Sequence, residues 1–189
     1  KLALFTKILR EGKPFYSIEL EKTKKFLKEI PSFPLDVNLA AYYLKATSIS
    51  PENYLGRLNH HHKDFESVQQ DLLKGAGEYT KTRYDIITLT IKQLIGTQRD
   101  FADLLLFISL LDSQNIPREL LDKYKGNIIV DNFIYNLKKY SLITNESLSS
   151  SLGSCLFIHK STQEICLHYL LKVLNSKKNE HLISSIANS

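Results

Sequence analysis

Glycine is scarce in this chain: seven in 189 residues, none clustered at a strand-to-helix turn. The sequence has neither G-x-x-x-x-G-K-[ST] nor G-x-G-x-x-G, the loops whose backbone N–H groups cradle phosphates. No paired carboxylates and no Ser/His/Asp arrangement can be read from spacing, so no catalytic residue is assigned and catalysis is not expected. Cysteine is nearly absent. Cys155 falls in an expected strand and Cys166 on an expected helix, which favours two buried free thiols in a reducing cytosol over a disulfide. No apolar run approaches the ~20 residues of a membrane span. The longest, Leu104 to Leu111, is interrupted by Ser109. The opening Lys1-Leu-Ala-Leu-Phe-Thr-Lys-Ile-Leu9 is charged and amphipathic, without the pattern of a secretory signal. These absences point to a cytoplasmic protein without membrane contact. The first residue is not Met and the chain opens inside a helical pattern, which reads as a piece of a longer polypeptide.

What is present is an ordinary globular composition. Hydrophobic residues make up 43%, enough for a real core. The net charge of +5 and pI near 9.0 permit contact with an acidic partner or nucleic acid without requiring it. The charge is scattered in pairs such as Lys24-Lys25, Lys138-Lys139 and Lys177-Lys178. Solvated helix faces account for such pairs better than a phosphate-binding stripe.

Helical spacing dominates. Leu2, Phe5, Ile8 and Leu9 share a face over 2–10. Leu20, Thr23, Leu27 and Ile30 do so over 18–30, with Ser17 as an N-cap. After the break Pro31-Ser-Phe-Pro34, a helix restarts at Pro34, whose fixed φ suits a first turn; Asp36 favours the positive end. Leu35, Leu39, Tyr42 and Tyr43 would line its inner face. Ser50-Pro51-Glu52 starts a short helix with Tyr54, Leu55 and Leu58. Asn59 to Asp64 reads as a solvated loop, a modest helix follows, and Gly75 to Thr80 reads as a linker. A helix over about 82–96 follows, stopped by Gly96.

The next segment carries the most information. A helix Phe101–Leu111 runs into a second, Asn115–Leu121, and a third, Val130–Tyr140. Two short strands are expected at Ser141–Thr144 and Cys155–His159, with Ser147–Ser154 as the loop between them. Three helices and a hairpin in that order make a winged helix. A capping box, Ser161-Thr-Gln-Glu164, would then launch a helix carrying Cys166, Tyr169, Leu170 and Val173. A weak last helix is expected over 180–187. The fold class is therefore mainly α: a helical bundle domain at 1–78, a winged-helix domain with a small β-hairpin at 79–175, and a C-terminal helix or tail at 176–189.

Three features invite a chemical reading. His60-His61-His62 are adjacent, whereas metal ligation wants imidazoles at i and i+3 or i+4. No metal site is assigned to them beyond a weak adventitious one. The third helix of a winged helix can read a DNA groove. Here it lacks arginine and carries Asp131, so no specific nucleic-acid partner is expected. His159 stands between a strand and a capped helix N-terminus, where an imidazole can reach an anion. Its ring is expected to point outward, so that replacing it would scarcely change stability.

At this point the residues match a family. Ala-Leu-Phe-x-Lys-Ile-Leu through Phe-Leu-Lys-Glu-Ile-Pro-Ser-Phe-Pro34-Leu35 and on to Leu44 resembles the stretch around the GLPL motif of NB-ARC proteins. These are STAND-class nucleotide switches, found in plant disease resistance, apoptotic protease activation and many bacterial relatives. Ile49–Leu58 resembles the short helix that follows, and Tyr84–Leu94 with Ala102–Leu121 the start of the winged-helix domain. Phe157-Ile158-His159-Lys160 falls where the family has its MHD motif. Two positions depart: Ser32 and Phe33 replace the glycine and leucine of GLPL, and Lys160 replaces the MHD aspartate. The resemblance implies the regulatory half of a switch ATPase, not itself an enzyme. Pro34 and Leu35 would pack near adenine and His159 would contact the β-phosphate. ADP or ATP with Mg would be held in the parent protein, with none bound tightly by this chain. The implied partners are an upstream nucleotide-binding domain, downstream sensor repeats of the same chain, and further copies on oligomerisation. Two other readings stay open: a winged-helix DNA-binding regulator and a helical protein-interaction module.

Overall fold

The computed structural model describes residues 1–69, 78–149 and 153–173. They form a mainly helical protein with one small antiparallel sheet. In chain order the elements are α1 (Leu2–Arg10), α2 (Ser17–Glu29), α3 (Pro34–Thr47), α4 (Pro51–Gln69), α5 (Glu78–Ile95), α6 (Asp100–Leu110), β1 (Ile116–Pro117), α7 (Arg118–Lys125), α8 (Asn127–Lys139), β2 (Ile143–Ser149), β3 (Gly153–Ile158) and α9 (Lys160–Val173). Two compact units divide the chain, Lys1–Thr90 and Ile91–Ser189. The division falls within α5 rather than at the expected linker, whose Glu78, Tyr79 and Thr80 open that helix. Gly75–Gly77, the 176–189 tail and the helix expected at 180–187 lie outside the described residues.

The first unit is a helical bundle packed on aromatic rings. Of the expected inner faces of α1 and α2, Phe5, Ile8, Thr23, Leu27 and Ile30 are buried, Leu2, Leu9 and Leu20 are half-buried, and Phe26, not among them, is buried as well. Phe5 meets Phe26 at 5.4 Å between ring centroids, Phe26 meets Tyr54 at 5.9 Å, and Tyr54 meets Tyr43 at 5.2 Å. Tilted and edge-on pairs of this kind each add about 0.5–1.5 kcal/mol beyond the area they bury. α3 starts with Pro34 in its first turn, as expected, but buries more than one stripe: Asp36, Val37, Leu39, Ala40, Ala41, Tyr43 and Leu44. Leu35 and Tyr42 are only half-buried.

Three local expectations in this unit are corrected. The N-cap of α2 is Tyr16, not Ser17, and the Glu19 carboxylate accepts the Tyr16 N–H at 3.2 Å. Ser17 carries no acidic partner three residues on, whereas Tyr16 has Glu19 there. Ser50 does cap α4, its Oγ accepting the Asn53 N–H at 3.1 Å. That helix, however, continues through Asn59–Asp64 to Gln69. The three histidines are therefore helical, because nothing in that stretch breaks a helix.

The second unit follows the winged-helix order: α6, β1, α7, α8, β2, β3. Its sheet has strand order β1-β3-β2, antiparallel throughout. Ile116 pairs with Leu156 and Pro117 with Cys155; Ile143 pairs with Ile158 and Ser149 with Gly153. The core combines Phe101, Leu104, Leu105 and Ile108 of α6 with Val130, Phe133 and Leu137 of α8, and with Cys155, Leu156, Cys166 and Tyr169. Both cysteines are buried free thiols.

The boundaries here differ from the expected ones for identifiable reasons. Asn115 and Ile116 are not helical. Asn115 takes φ 55, and the residue before a proline is pushed toward extended backbone. Ile116-Pro117 thus forms a short edge strand, where a proline's missing N–H costs little, and α7 begins at Arg118. The α8 helix ends in a left-handed Ser141 (φ 57) with Ser141 N–H to Lys138 O and Leu142 N–H to Leu137 O. This closing motif uses up Ser141, so β2 starts at Ile143. Ser147–Ser149 and Gly153–Ser154, expected in the loop, lie in the strands. Between α7 and α8 stands Gly126 alone, at φ 81 and ψ 152, a conformation in practice reserved for glycine.

Candidate functional site

The residues singled out in the sequence fall in both units. Pro34 and Leu35 begin α3 in the first, and His159 joins β3 to α9 in the second.

The start of α3 is held from beneath. Pro34 is exposed and Leu35 half-buried, while Asp36, one residue on, has no exposed surface. The Arg83 Nε of α5 donates to Asp36 Oδ1 at 3.2 Å. The same guanidinium lies over the ring of Phe33, 5.6 Å from its centroid. Phe33, where the resembled motif has leucine, thus contributes a cation–π contact worth about 0.5–1 kcal/mol at a partly exposed site. Sequence reading placed Asp36 as a helix-end charge and missed Arg83 altogether. The available signal was an aspartate among otherwise apolar neighbours, which once buried needs a cation.

A cleft of about 550 Å³ also opens in this unit, with Lys22, Lys25 and Lys81 set against Glu29, Glu52 and Asp85. Its charges balance, so it selects for neither sign. The Glu52 carboxyl is held below the usual carboxylate range by a backbone N–H and by the Ser50 hydroxyl.

His159 is exposed, and its role is more local than expected. Gln163 N–H donates to the His159 carbonyl at 3.0 Å, which makes His159 the residue that opens α9. The Ser161 N–H points at His159 Nδ1 at 3.3 Å, and Ser161 Oγ lies 2.9 Å from the same nitrogen. The expected capping box at Ser161 is therefore corrected. Ser161 already lies inside the helix, and the imidazole does the capping. An Nδ1 that accepts from a backbone N–H leaves the neutral ring's proton on Nε2. With Nδ1 as the acceptor, His159 presents an N–H donor on its far side. Lys160 beside it is exposed.

No protein-family model matches this chain, and no curated protein matches it.

The surface that would face DNA is the exposed side of α8. It carries Ile128 at 79% and Tyr135 at 65% exposure, together with exposed Asp131, Asn132, Lys138 and Lys139. Asp131 is tied to Arg118 at 2.6 Å, and Arg118 also reaches Asp122 at 3.2 Å. Burial works against the Arg118 charge, but these carboxylates outweigh it and raise its pKa. The nearest arginine is thus committed within the protein. Of the three adjacent histidines only the His60 side chain lies among the described residues, and it is exposed. Among the described residues no three His, Cys, Asp or Glu side chains gather as a metal site, and no helix is long and apolar enough to cross a membrane.

Proposed function

We propose that this chain is the regulatory part of a STAND-class, NB-ARC-type switch ATPase, closing over ADP held by a nucleotide-binding domain of the same polypeptide. The observation that carries the reading is His159. It stands exposed where β3 gives way to α9, and its Nδ1 is occupied by the helix, so Nε2–H is available to a phosphate oxygen. Pro34 and Leu35, on the anchored first turn of α3, supply apolar contact for adenine. ADP favours the closed arrangement, and exchange for ATP with Mg shifts the population to an open, oligomerising one. Downstream sensor repeats would bias that equilibrium. The chain itself carries no catalysis and works in the cytoplasm. Specific DNA binding is not part of this reading, because α8 carries Asp131 and no arginine, and the neighbouring Arg118 is paired with Asp122 and Asp131. A sequence-dependent mobility shift that survives moderate salt would contradict that.

Two substitutions separate the nucleotide role from the capping role. His159→Asn keeps a good helix cap, since asparagine is among the best, but withdraws the imidazole. In the polypeptide that includes the nucleotide-binding domain, it should leave stability unchanged and lower co-purifying ADP. His159→Ala should lower both, with a cap loss of about 0.5–2 kcal/mol. Full ADP retention in both variants would refute the reading. So would micromolar ADP or ATP binding by this chain alone in calorimetry.

A further inference from the structure

α6 ends without a glycine. Its C-cap, Leu111, is extended at φ −89 and ψ −179, so the last carbonyls of the helix need partners from elsewhere. They find them on α9. Gln163 Nε2 donates to Ile108 O at 2.9 Å and to Leu111 O at 2.8 Å, although these residues lie more than fifty positions earlier. Gln163 is buried, at 2% exposure. On the other side of His159, the Ile158 N–H donates to Ser113 O at 3.0 Å, in the loop after α6. His159 is therefore flanked by two attachments to the same end of α6: a backbone hydrogen bond one residue before it and a side-chain amide four residues after it. Between them, the His159 ring is held by the Ser161 N–H.

We propose, building on the reading of His159 as the nucleotide-facing group, that Gln163 is its positioning residue. By clamping the α6 carbonyls, Gln163 fixes the first turn of α9 and so holds the His159 ring with its Nε2–H outward. Cys166, Tyr169 and Leu170 bury a face of α9, and apolar contacts of this kind are not directional. Two amide hydrogen bonds to fixed carbonyls have direction and set the register. The arrangement links the end of α6 to the candidate phosphate contact, so a shift in either displaces the other.

The test reads His159 itself and needs no nucleotide, so it is independent of whether ADP binds. In this chain, ¹⁵N-resolved NMR of the His159 ring in alkaline buffer should show one dominant tautomer, with the proton on Nε2. Gln163→Leu removes both donors at similar volume. It should collapse the separation between the two ring-nitrogen shifts toward an averaged value and shift the Ser161 amide signal. Val130→Ala, a buried truncation elsewhere in the same unit, is the control. It should lower the melting temperature without moving the His159 ring signals. If Gln163→Leu destabilises the protein but leaves the His159 signals unchanged, Gln163 is merely structural and the proposal is wrong. An averaged ring in the unsubstituted chain, or the same collapse in Val130→Ala, also overturns it.

Discussion

The Asp36–Arg83 pair should respond unequally to removal of its two ends. Asp36 has no exposed surface, whereas the Arg83 side chain keeps 18% of its own. Arg83→Met takes the cation away from a fully buried carboxylate. Breaking a buried pair from one side costs about 3–5 kcal/mol, most of it the uncompensated charge. The same substitution gives up the stacking on Phe33, so the loss should lie in that range. Asp36→Asn leaves a guanidinium that can reach water and an amide oxygen that can still accept its hydrogen bond. Its cost should be nearer 1–2 kcal/mol. The double variant should lose less than the sum of the two, because it strands nothing. Urea unfolding followed by far-UV circular dichroism at pH 7 measures all three. Equal single losses, or strict additivity in the double variant, would refute the picture of a fully buried carboxylate paired with a partly exposed guanidinium. The pair lies directly under Pro34, so the stability ranking should also order how firmly the first turn of α3 is held.

Two glycines should give opposite signs. Gly126→Ala meets no atom within 4 Å yet must adopt φ 81, so strain alone should cost about 1–3 kcal/mol. Gly56→Ala, equally open but inside α4, should stabilise by about 0.5–1 kcal/mol; like signs in urea titrations would contradict both. Burial pushes the Cys166 thiol up to about 12, and Cys155 is fully buried. Ellman's reagent at pH 8 should therefore label neither until the protein unfolds, and rapid labelling in native buffer would be inconsistent with these positions. The Asp100 carboxyl is held below its ordinary range chiefly by its hydrogen bond to Lys125. Lys125 loses some charge preference to burial but is raised on balance by Asp103 and Asp100. Asp100 then contributes stability above the unfolded carboxylate value of ~3.9 that disappears as pH falls through its lower folded value. Lys125 contributes below ~10.4, and that contribution fades as pH rises through its higher folded value. Lys125→Met should flatten the acid side of the melting-temperature profile, and an unchanged profile would exclude this staple.

Much of the architecture could be read from the residues, because it rests on periodicity. The apolar faces of α1, α2 and α6 and the helix–helix–hairpin order were visible as spacing. What escaped was set by single backbone positions or by distant partners. The edge strand β1 was hidden inside an expected helix, although Pro117 already disfavoured helix at Ile116. The start of β2 moved because Ser141 adopts a left-handed turn that no propensity assigns to serine. The Ser161–Glu164 spacing suited a capping box, but a histidine one residue before α9 took the cap. Arg83 and Gln163 could not be found by local pattern at all. Each matters through a group 47 or 52 residues away in sequence, and neither pairing leaves a periodic trace.

Both candidate contact points share a physical logic. Pro34 and His159 each open a helix, where backbone N–H groups are unpaired and an anion or a polar ligand edge is welcome. A helix end is also where a chain frays, so a contact there is only as precise as whatever holds the first turn. In α3 that is a buried carboxylate bound to Arg83; in α9 it is a buried amide bound to two carbonyls of α6. Burying such polar groups gains little net stability over apolar residues of the same size. They do constrain position in a way that leucine cannot, since each is costly in any other register. A replacement that preserves volume but not donors should therefore spare much of the fold while loosening the helix start. For this reason the effect of Gln163→Leu should appear first at the His159 ring and only second in the melting temperature.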